Sequence, residues 1–293
     1  MSQLNTTELG EIGIQIRELA LAAGEILLSG HGDIHTIESK RGTEFVTEMD
    51  RRVEEFLLDE LTRRFPGDAI EAEETGGRAG TSGRTWYVDP LDGTTNYAHG
   101  YPFFSVSIAC ADQEELLVGT VLAPYLGELY QAHRGGGSTL ERARSNDVIP
   151  LSSRKKVGMQ SALLATGFPY VRDEIVDLNT GLVRDFLKAG CHGVRRGGSA
   201  AIDLVHVAAG KLDGYWELNL RTWDTAAGTL IAREAGALVS GFGGNREILH
   251  VENIVAAAPG LHQEMLEMFA RAQPGRWPGP GVGYGEKNPG AES

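Results

Sequence analysis

The chain has 293 residues, enough for one large or two medium domains with a full apolar core, and its 41% apolar and 23% charged content is that of an ordinary globular protein. A formal net charge of −13 disfavours direct nucleic-acid binding, because a phosphate backbone calls for a basic footprint. Cys110 and Cys191 give neither a disulfide framework nor zinc-ligand spacing, no apolar run reaches membrane-spanning length, and Glu8, Glu11, Arg17, Glu18 and Glu25 exclude an apolar leader core, so a cytoplasmic location is expected.

Residues Glu8 to Leu28 predict a helix, with Ile12, Ile16, Leu19 and Ile26 among its apolar positions. A second helix is predicted from about Thr47 to Phe65. Val53, Phe56, Leu57 and Leu61 share one face, and Pro66-Gly67 ends it. Thr47-Glu48-Met49-Asp50 fits a capping box at its start, which by itself accounts for Asp50. Trp86-Tyr87-Val88 reads as a short buried strand. Ser105 to Cys110 alternates, with Val106, Ile108 and Cys110 on one side and Ser105 and Ser107 on the other. Leu116 to Leu122 and Glu128 to Ala132 continue a series of sequential, antiparallel strands.

After about Pro150 the rhythm changes. Strands are predicted at Ala162 to Thr166, Gly193 to Arg195, Gly214 to Glu217, Ala237 to Ser240 and Ile254 to Ala258. Helices are predicted at Asp173 to Lys188, Ser199 to Lys211, Asp224 to Ala235 and Leu261 to Ala272. The chain thus divides into residues 1–150, two helices plus an antiparallel sheet, and residues 151–272, an α/β half. Residues 273–293, rich in Gly and Pro, read as a disordered tail. There is no internal repeat.

The strongest chemical signal is Asp89-Pro90-Leu91-Asp92-Gly93-Thr94-Thr95-Asn96-Tyr97, directly after the Trp86 strand. Two carboxylates three apart at a strand end can face one small volume, and Gly93 lets the backbone approach a ligand. Thr94 and Thr95 open a helical turn whose N–H groups would point at an anion. Oxygen-only ligands favour Mg²⁺ over zinc, and bound cations would supply the positive charge that an anionic substrate needs in so acidic a protein. Asp-x-x-Asp-Gly alone is as well explained by a turn; the full nine residues favour a site. Upstream, Glu71-Ala72-Glu73-Glu74 packs three acids into four residues, and a solvated loop accounts for Glu71 and Glu74. Asp224, after Trp223, reads as an N-cap that could also reach a metal. Arg195-Arg196-Gly197-Gly198-Ser199-Ala200-Ala201 is a glycine turn into a helix, able to hold a substrate oxygen or simply to turn the chain. The eight histidines form no metal-like cluster.

Together these segments resemble the inositol monophosphatase family, in its bacterial branch. The matches are Asp89 to Tyr97 and Trp223-Asp224-Thr225-Ala226-Ala227-Gly228. They are supported by Val46 to Asp50, Glu73-Glu74, Thr166-Gly167-Phe168-Pro169 and Gly198 to Ala201, and the resemblance covers roughly residues 8 to 272. It implies a layered αβαβα sandwich of the sugar-phosphatase type, two or three Mg²⁺ ions and a homodimer. Residue by residue, it implies that Glu73, Asp89, the Leu91 carbonyl, Asp92 and Asp224 hold the ions. Glu73 and Thr94 orient the attacking water, with Asp50 hydrogen-bonded to Thr94. Asp92, Gly93, Thr94, Gly198, Ser199, Ala200 and Glu217 line the substrate site. Some members carry a histidine three residues before the second motif's aspartate; this chain has Arg221.

The implied reaction is in-line attack of water on a small phosphate monoester, with myo-inositol 1-phosphate the leading substrate because Asp-Gly-Thr-Thr-Asn is the inositol monophosphatase form. Histidinol phosphate or a sugar phosphate is the alternative substrate. A regulatory protein of the same fold, associated with RNA polymerase, is the alternative of a different class.

Overall fold

The computed structural model describes residues 4–32, 37–39, 45–113, 115–145, 147–169, 174–247, 249 and 253–273. The predicted tail, apart from Gln273, lies outside them. Helix α1 (Thr6–Gly30) starts at Asn5, whose side chain accepts the Thr7 and Glu8 N–H groups, while Glu8 reaches back to the Asn5 N–H. Its Leu9, Ile16, Leu19 and Leu27 are buried. A two-stranded pair, β1 (Ile37–Ser39) and β2 (Phe45–Thr47), leads into α2 (Glu48–Arg64), with Thr47 as N-cap and Asp50 closing the predicted capping box.

Seven strands follow in sequential spatial order: β3 (Ala69–Ala72), β4 (Arg84–Asp92), β5 (Ser105–Asp112), β6 (Glu115–Ala123), β7 (Glu128–His133), β8 (Ser138–Arg142) and β9 (Asp147–Pro150). Every neighbouring pair is antiparallel except β3 with β4. A short helix α3 (Thr94–Ala98) interrupts the series between β4 and β5. A second, mixed sheet has the order β11-β10-β12-β14-β13, built from β10 (Leu163–Thr166), β11 (Gly193–Arg195), β12 (Gly214–Leu218), β13 (Leu238–Ser240) and β14 (Asn253–Ala257). Helices α4 (Glu174–Lys188), α5 (Ala200–Ala208), α6 (Thr222–Glu234) and α7 (Pro259–Ala272) alternate with these strands.

Three apolar clusters show how the layers stack. Leu9, Leu19, Val53 and Leu57 of α1 and α2 pack on Trp86, Val88, Val106 and Ile108, one face of the large sheet. The opposite face, with Tyr87, Ala109, Val121 and Tyr130, meets Leu204, Val205, Ala227 and Ile231 of α5 and α6. Those two helices also cover Ala165, Tyr215 and Ala256 of the smaller sheet. Leu182, Phe186, Leu261 and Phe269 of α4 and α7 pack on its far face, at Leu164, Trp216 and Val255. The result is α, β, α, β, α: the predicted sandwich.

Three sequence expectations are corrected. The Trp86 strand runs on to Asp92, because its pairing with β5 shifts between Asp89 and Asp92 and a one-residue bulge accommodates Pro90. Glu71 lies half-buried in β3, opposite Tyr87, and not in a solvated loop. The helix expected to begin at Asp224 begins at Thr222 with Arg221 as N-cap, so Asp224 is its third residue, and its carboxylate accepts the Arg221 N–H at 2.7 Å. Strands β3, β8 and β9 escaped prediction because they carry few large apolar residues; pairing to longer neighbours holds them.

Candidate active site

The bulge at Pro90-Leu91 decides the first part of the site. In a regular strand, residues three apart point to opposite faces; one extra residue turns Asp89 and Asp92 toward the same side. Asp89 is buried and accepts the Leu91 N–H at 3.0 Å. Gly93 then takes φ 94°, and a side chain there would come within 3.0 Å of the Phe103 carbonyl and 3.1 Å of the Gly198 carbonyl. This lets Thr94 start α3 beneath Leu91.

The Thr94 hydroxyl lies 2.9 Å from Asp50 Oδ1 and 3.0 Å from the Leu91 carbonyl. The other Asp50 oxygen accepts the Thr47 N–H at 2.8 Å and the Thr47 hydroxyl at 2.5 Å. Both roles considered for Asp50, helix cap and Thr94 partner, are therefore filled at once, one by each oxygen. Burial raises the Asp50 carboxyl above its ordinary value. With both contacts present, Asp50→Asn is expected to lower kcat roughly 10²-fold and to cost about 1 kcal/mol of stability. Kinetics and a melting curve on one preparation check this; a melting shift with unchanged kcat would reduce Asp50 to a cap.

Asp92 is held from the second half of the chain. It accepts the Ser199 hydroxyl at 2.5 Å and the N–H groups of Ala201 at 2.8 Å and Ala200 at 3.3 Å, at the start of α5. The Ser105 hydroxyl bridges toward Ser199 at 3.1 Å. On β5, the Ser107 hydroxyl donates to the Trp223 carbonyl at 3.2 Å, tying the strand to the first turn of α6. The Asn96 amide donates to the carbonyls of Phe103, at 2.6 Å, and Gly197, at 3.0 Å, and so joins the first motif to the glycine turn.

Glu73 in the turn after β3, Asp89 and Asp92 on β4, and Asp224 on α6 influence one another through their charges. Burial raises Asp89 well above the carboxylate range, and the charges of Glu73, Asp92 and Asp224 reinforce it. Asp224 is raised by burial, then by Glu73, Asp92 and Glu217. Asp92 is raised by burial and held down by its bonds to Ser199, Ala201 and Ala200. Two buried carboxyl groups, Asp89 and Asp224, raised by the negative charges of neighbouring acids form a demand for positive charge, and an all-oxygen donor set suits a hard divalent cation such as Mg²⁺. Among the described residues the carboxylates are not drawn into a tight cage; they turn to N–H and hydroxyl donors.

Glu217, half-buried near the end of β12, accepts the Tyr215 hydroxyl at 2.6 Å. Burial pushes its carboxyl up to about 7, opposed by the Tyr215 bond. Gly167, in the Thr166 to Pro169 segment, makes room for it: a side chain there would collide with both Glu217 carboxylate oxygens.

The profile of the inositol monophosphatase family matches residues 9–275. The chain belongs to this family. It is 41% identical over 255 residues to an inositol-1-monophosphatase from Synechocystis, covering 86% of each chain. It is 40% identical over 244 residues to a protein from Pseudomonas aeruginosa named Nus factor SuhB, covering 81% of this chain and 88% of that one. Among solved structures, the extragenic suppressor protein suhB from Bartonella henselae superposes with a TM-score of 0.81 at 32% identity, over 90% of this chain and 99% of that one. Membership supports phosphatase activity.

In this inositol monophosphatase fold two acids near the site went unnoticed in the sequence. Glu54, fully buried on α2, accepts the N–H groups of Glu74 and Thr75, each at 2.8 Å. Asp203, on α5, is 3% exposed, and its Oδ2 has no hydrogen-bond partner among the described residues. Burial raises it well above the carboxylate range, reinforced by Glu217 and Asp92. Both carried one visible signal, a charge inside an apolar stripe: Val53 and Leu57 flank Glu54, and Ile202 and Leu204 flank Asp203.

Proposed function

We propose that this chain is a Mg²⁺-dependent phosphatase of small phosphate monoesters, with myo-inositol 1-phosphate as its substrate. The observation that supports it most is the electrostatic contact among four acids: the charges of Glu73, Asp92 and Asp224 raise the buried Asp89, and those of Glu73 and Asp92 raise Asp224. In this reading these four side chains and the Leu91 carbonyl would hold Mg²⁺, which would supply positive charge for the phosphoryl oxygens and the leaving alkoxide. Glu73 and the Thr94 hydroxyl orient the attacking water, and Asp50 keeps the Thr94 proton directed. The N–H groups of Gly93 and Thr94 receive phosphoryl oxygens. Gly198, Ser199 and Ala200 line the alcohol side beside Asp92, and Glu217 accepts hydrogen bonds from substrate hydroxyls.

Phosphate release from a panel of monoesters with Mg²⁺ tests the proposal: inositol 1-phosphate, histidinol phosphate, a hexose phosphate and a plain aryl phosphate. Preference for inositol 1-phosphate supports it; no release from any member would defeat it. Glu217→Gln sharpens the substrate assignment. A site built to bond a hydroxyl discriminates strongly, because a missing partner leaves a buried group unpaired. We expect a fall of roughly 10²-fold or more in kcat/KM for the polyol ester and almost none for the aryl ester. Equal losses on both would place Glu217 among the supports of the metal site.

A second reading is carried by the similarity to the P. aeruginosa protein named a Nus factor. In this reading the chain binds a component of the transcription machinery. The net charge of −13 favours a basic protein surface over RNA as the contact. Retention on immobilised RNA polymerase by a catalytically dead variant would support it.

A further inference from the structure

Asp50 and Glu54 are one helical turn apart on α2, so their side chains share a face. The first holds the Thr94 hydroxyl. The second is 0% exposed and spends its carboxylate on two backbone donors, Glu74 N–H to Oε2 and Thr75 N–H to Oε1, each at 2.8 Å. Burying a carboxylate costs free energy unless hydrogen bonds replace its water, and these two bonds do so. What they secure is the turn after β3. On one side of Glu73, Ala72 is fixed in the parallel ladder opposite Val88. On the other side, Glu74 and Thr75 are fixed by Glu54. Glu73 is the single residue between the two anchors. Without Glu54, the bond across the turn is that of the Gly76 N–H to the Ala72 carbonyl, at 3.2 Å.

We propose that Glu54 is a positioning residue that presents Glu73 to the cation site and thereby sets the affinity for Mg²⁺. This rests on the Mg²⁺-phosphatase reading above. Glu54 is not a ligand; it acts through the backbone of the ligand's neighbours, as groups behind metal ligands do elsewhere.

The test is calorimetric titration of Mg²⁺ into the full chain. Glu54→Gln keeps the volume, but its amide has one acceptor oxygen and turns an NH₂ toward the second N–H. The Kd for Mg²⁺ is expected to rise about 10–100-fold, with kcat recovered by raising Mg²⁺. Glu234→Gln is the control: Glu234 grips the turn between β7 and β8 in the same manner, accepting the Gly135 N–H at 2.9 Å and the Gly137 N–H at 2.8 Å. It should lower the melting temperature and leave the Kd unchanged. A Glu54→Gln protein with wild-type Kd and only a lower melting temperature would overturn the assignment. Should that variant not fold, Glu54→Asp, with the charge kept and the reach shortened, is held to the same criterion. A wild-type chain that takes up no Mg²⁺ would instead overturn the metal reading itself.

Discussion

Excess EDTA is expected to abolish phosphate release, and Mg²⁺ added beyond the chelator to restore it. The expectation follows from charge. The charges of Glu73, Asp92 and Asp224 act on the buried Asp89, and the charges of Glu217 and Asp92 act on Asp203. A phosphate dianion cannot approach such a cluster without cations to reverse its sign. Water is also too weak a nucleophile at neutral pH without help, and lowering its pKa is a service that bound divalent ions provide. Stability should move with activity. A ligand at 100 times its Kd stabilises the fold by about 2.7 kcal/mol, and each kcal/mol moves the melting temperature by roughly 2–4 °C in a chain approaching this size. Chelation should therefore lower the melting temperature by several degrees, because the carboxylates are left to repel one another. Undiminished phosphate release in excess EDTA would sink the proposal. A melting temperature indifferent to Mg²⁺ would separate catalysis from binding at these four residues.

Asp224→Asn is expected to reduce kcat about 10³-fold or more, since several kcal/mol of charge stabilisation rest on each cation and every 1.36 kcal/mol is a factor of ten. The helix should tolerate the change. Asp224 is the third residue of α6 and accepts the Arg221 N–H at 2.7 Å. An asparagine oxygen can accept the same bond, so the cap survives. The substitution also removes one negative charge from a cluster in which Glu73, Asp92 and Glu217 already crowd it. In EDTA the variant should thus melt no lower than wild type, and its response to added Mg²⁺ should shrink. That pairing of outcomes, lost turnover with an undamaged metal-free fold, distinguishes a ligand from a structural acid. Near-normal kcat at ordinary Mg²⁺ would show that Asp224 is part of the helix start and nothing more.

The two variants with smaller expected effects divide the remaining roles. Asp50 has one oxygen on Thr47 and the other on Thr94, so its loss should register in both stability and rate. Glu217 bonds Tyr215 and feels the charge of Asp92, and its loss should register in the choice of alcohol.

Local pattern alone determined a good part of this protein. The 3.6-residue spacing of Val53, Leu57 and Leu61 and the Thr47-x-x-Asp50 box gave α2 almost to the residue, because capping and amphipathicity act over one or two turns. The Asp89 to Tyr97 segment pointed to Asp89 and Asp92 from its residues, because Gly93 lets the backbone approach a ligand, whereas Asp224 read locally as a helix cap and gained its expected ligand role only from the family resemblance. Tertiary structure decided what those neighbours could not. The bulge that turns Asp89 and Asp92 to one side is a matter of register with β5, and Ser107 and Ser105 set it from across the ladder. The start of α6 moved to Thr222, with Arg221 as N-cap, because Asp224 bonds backward, a choice open to any acid near a helix start. Strand β3 exists because β4 lies beside it. Glu54 and Asp203 gained their places only when α2 met the Glu73 turn and α5 met β12, across 20 residues in the one case and between helix and sheet in the other. A sequence records which side chains carry charge; folding decides which distant charges share a cavity, since burial and hydrogen bonding between remote segments depend on how the layers stack.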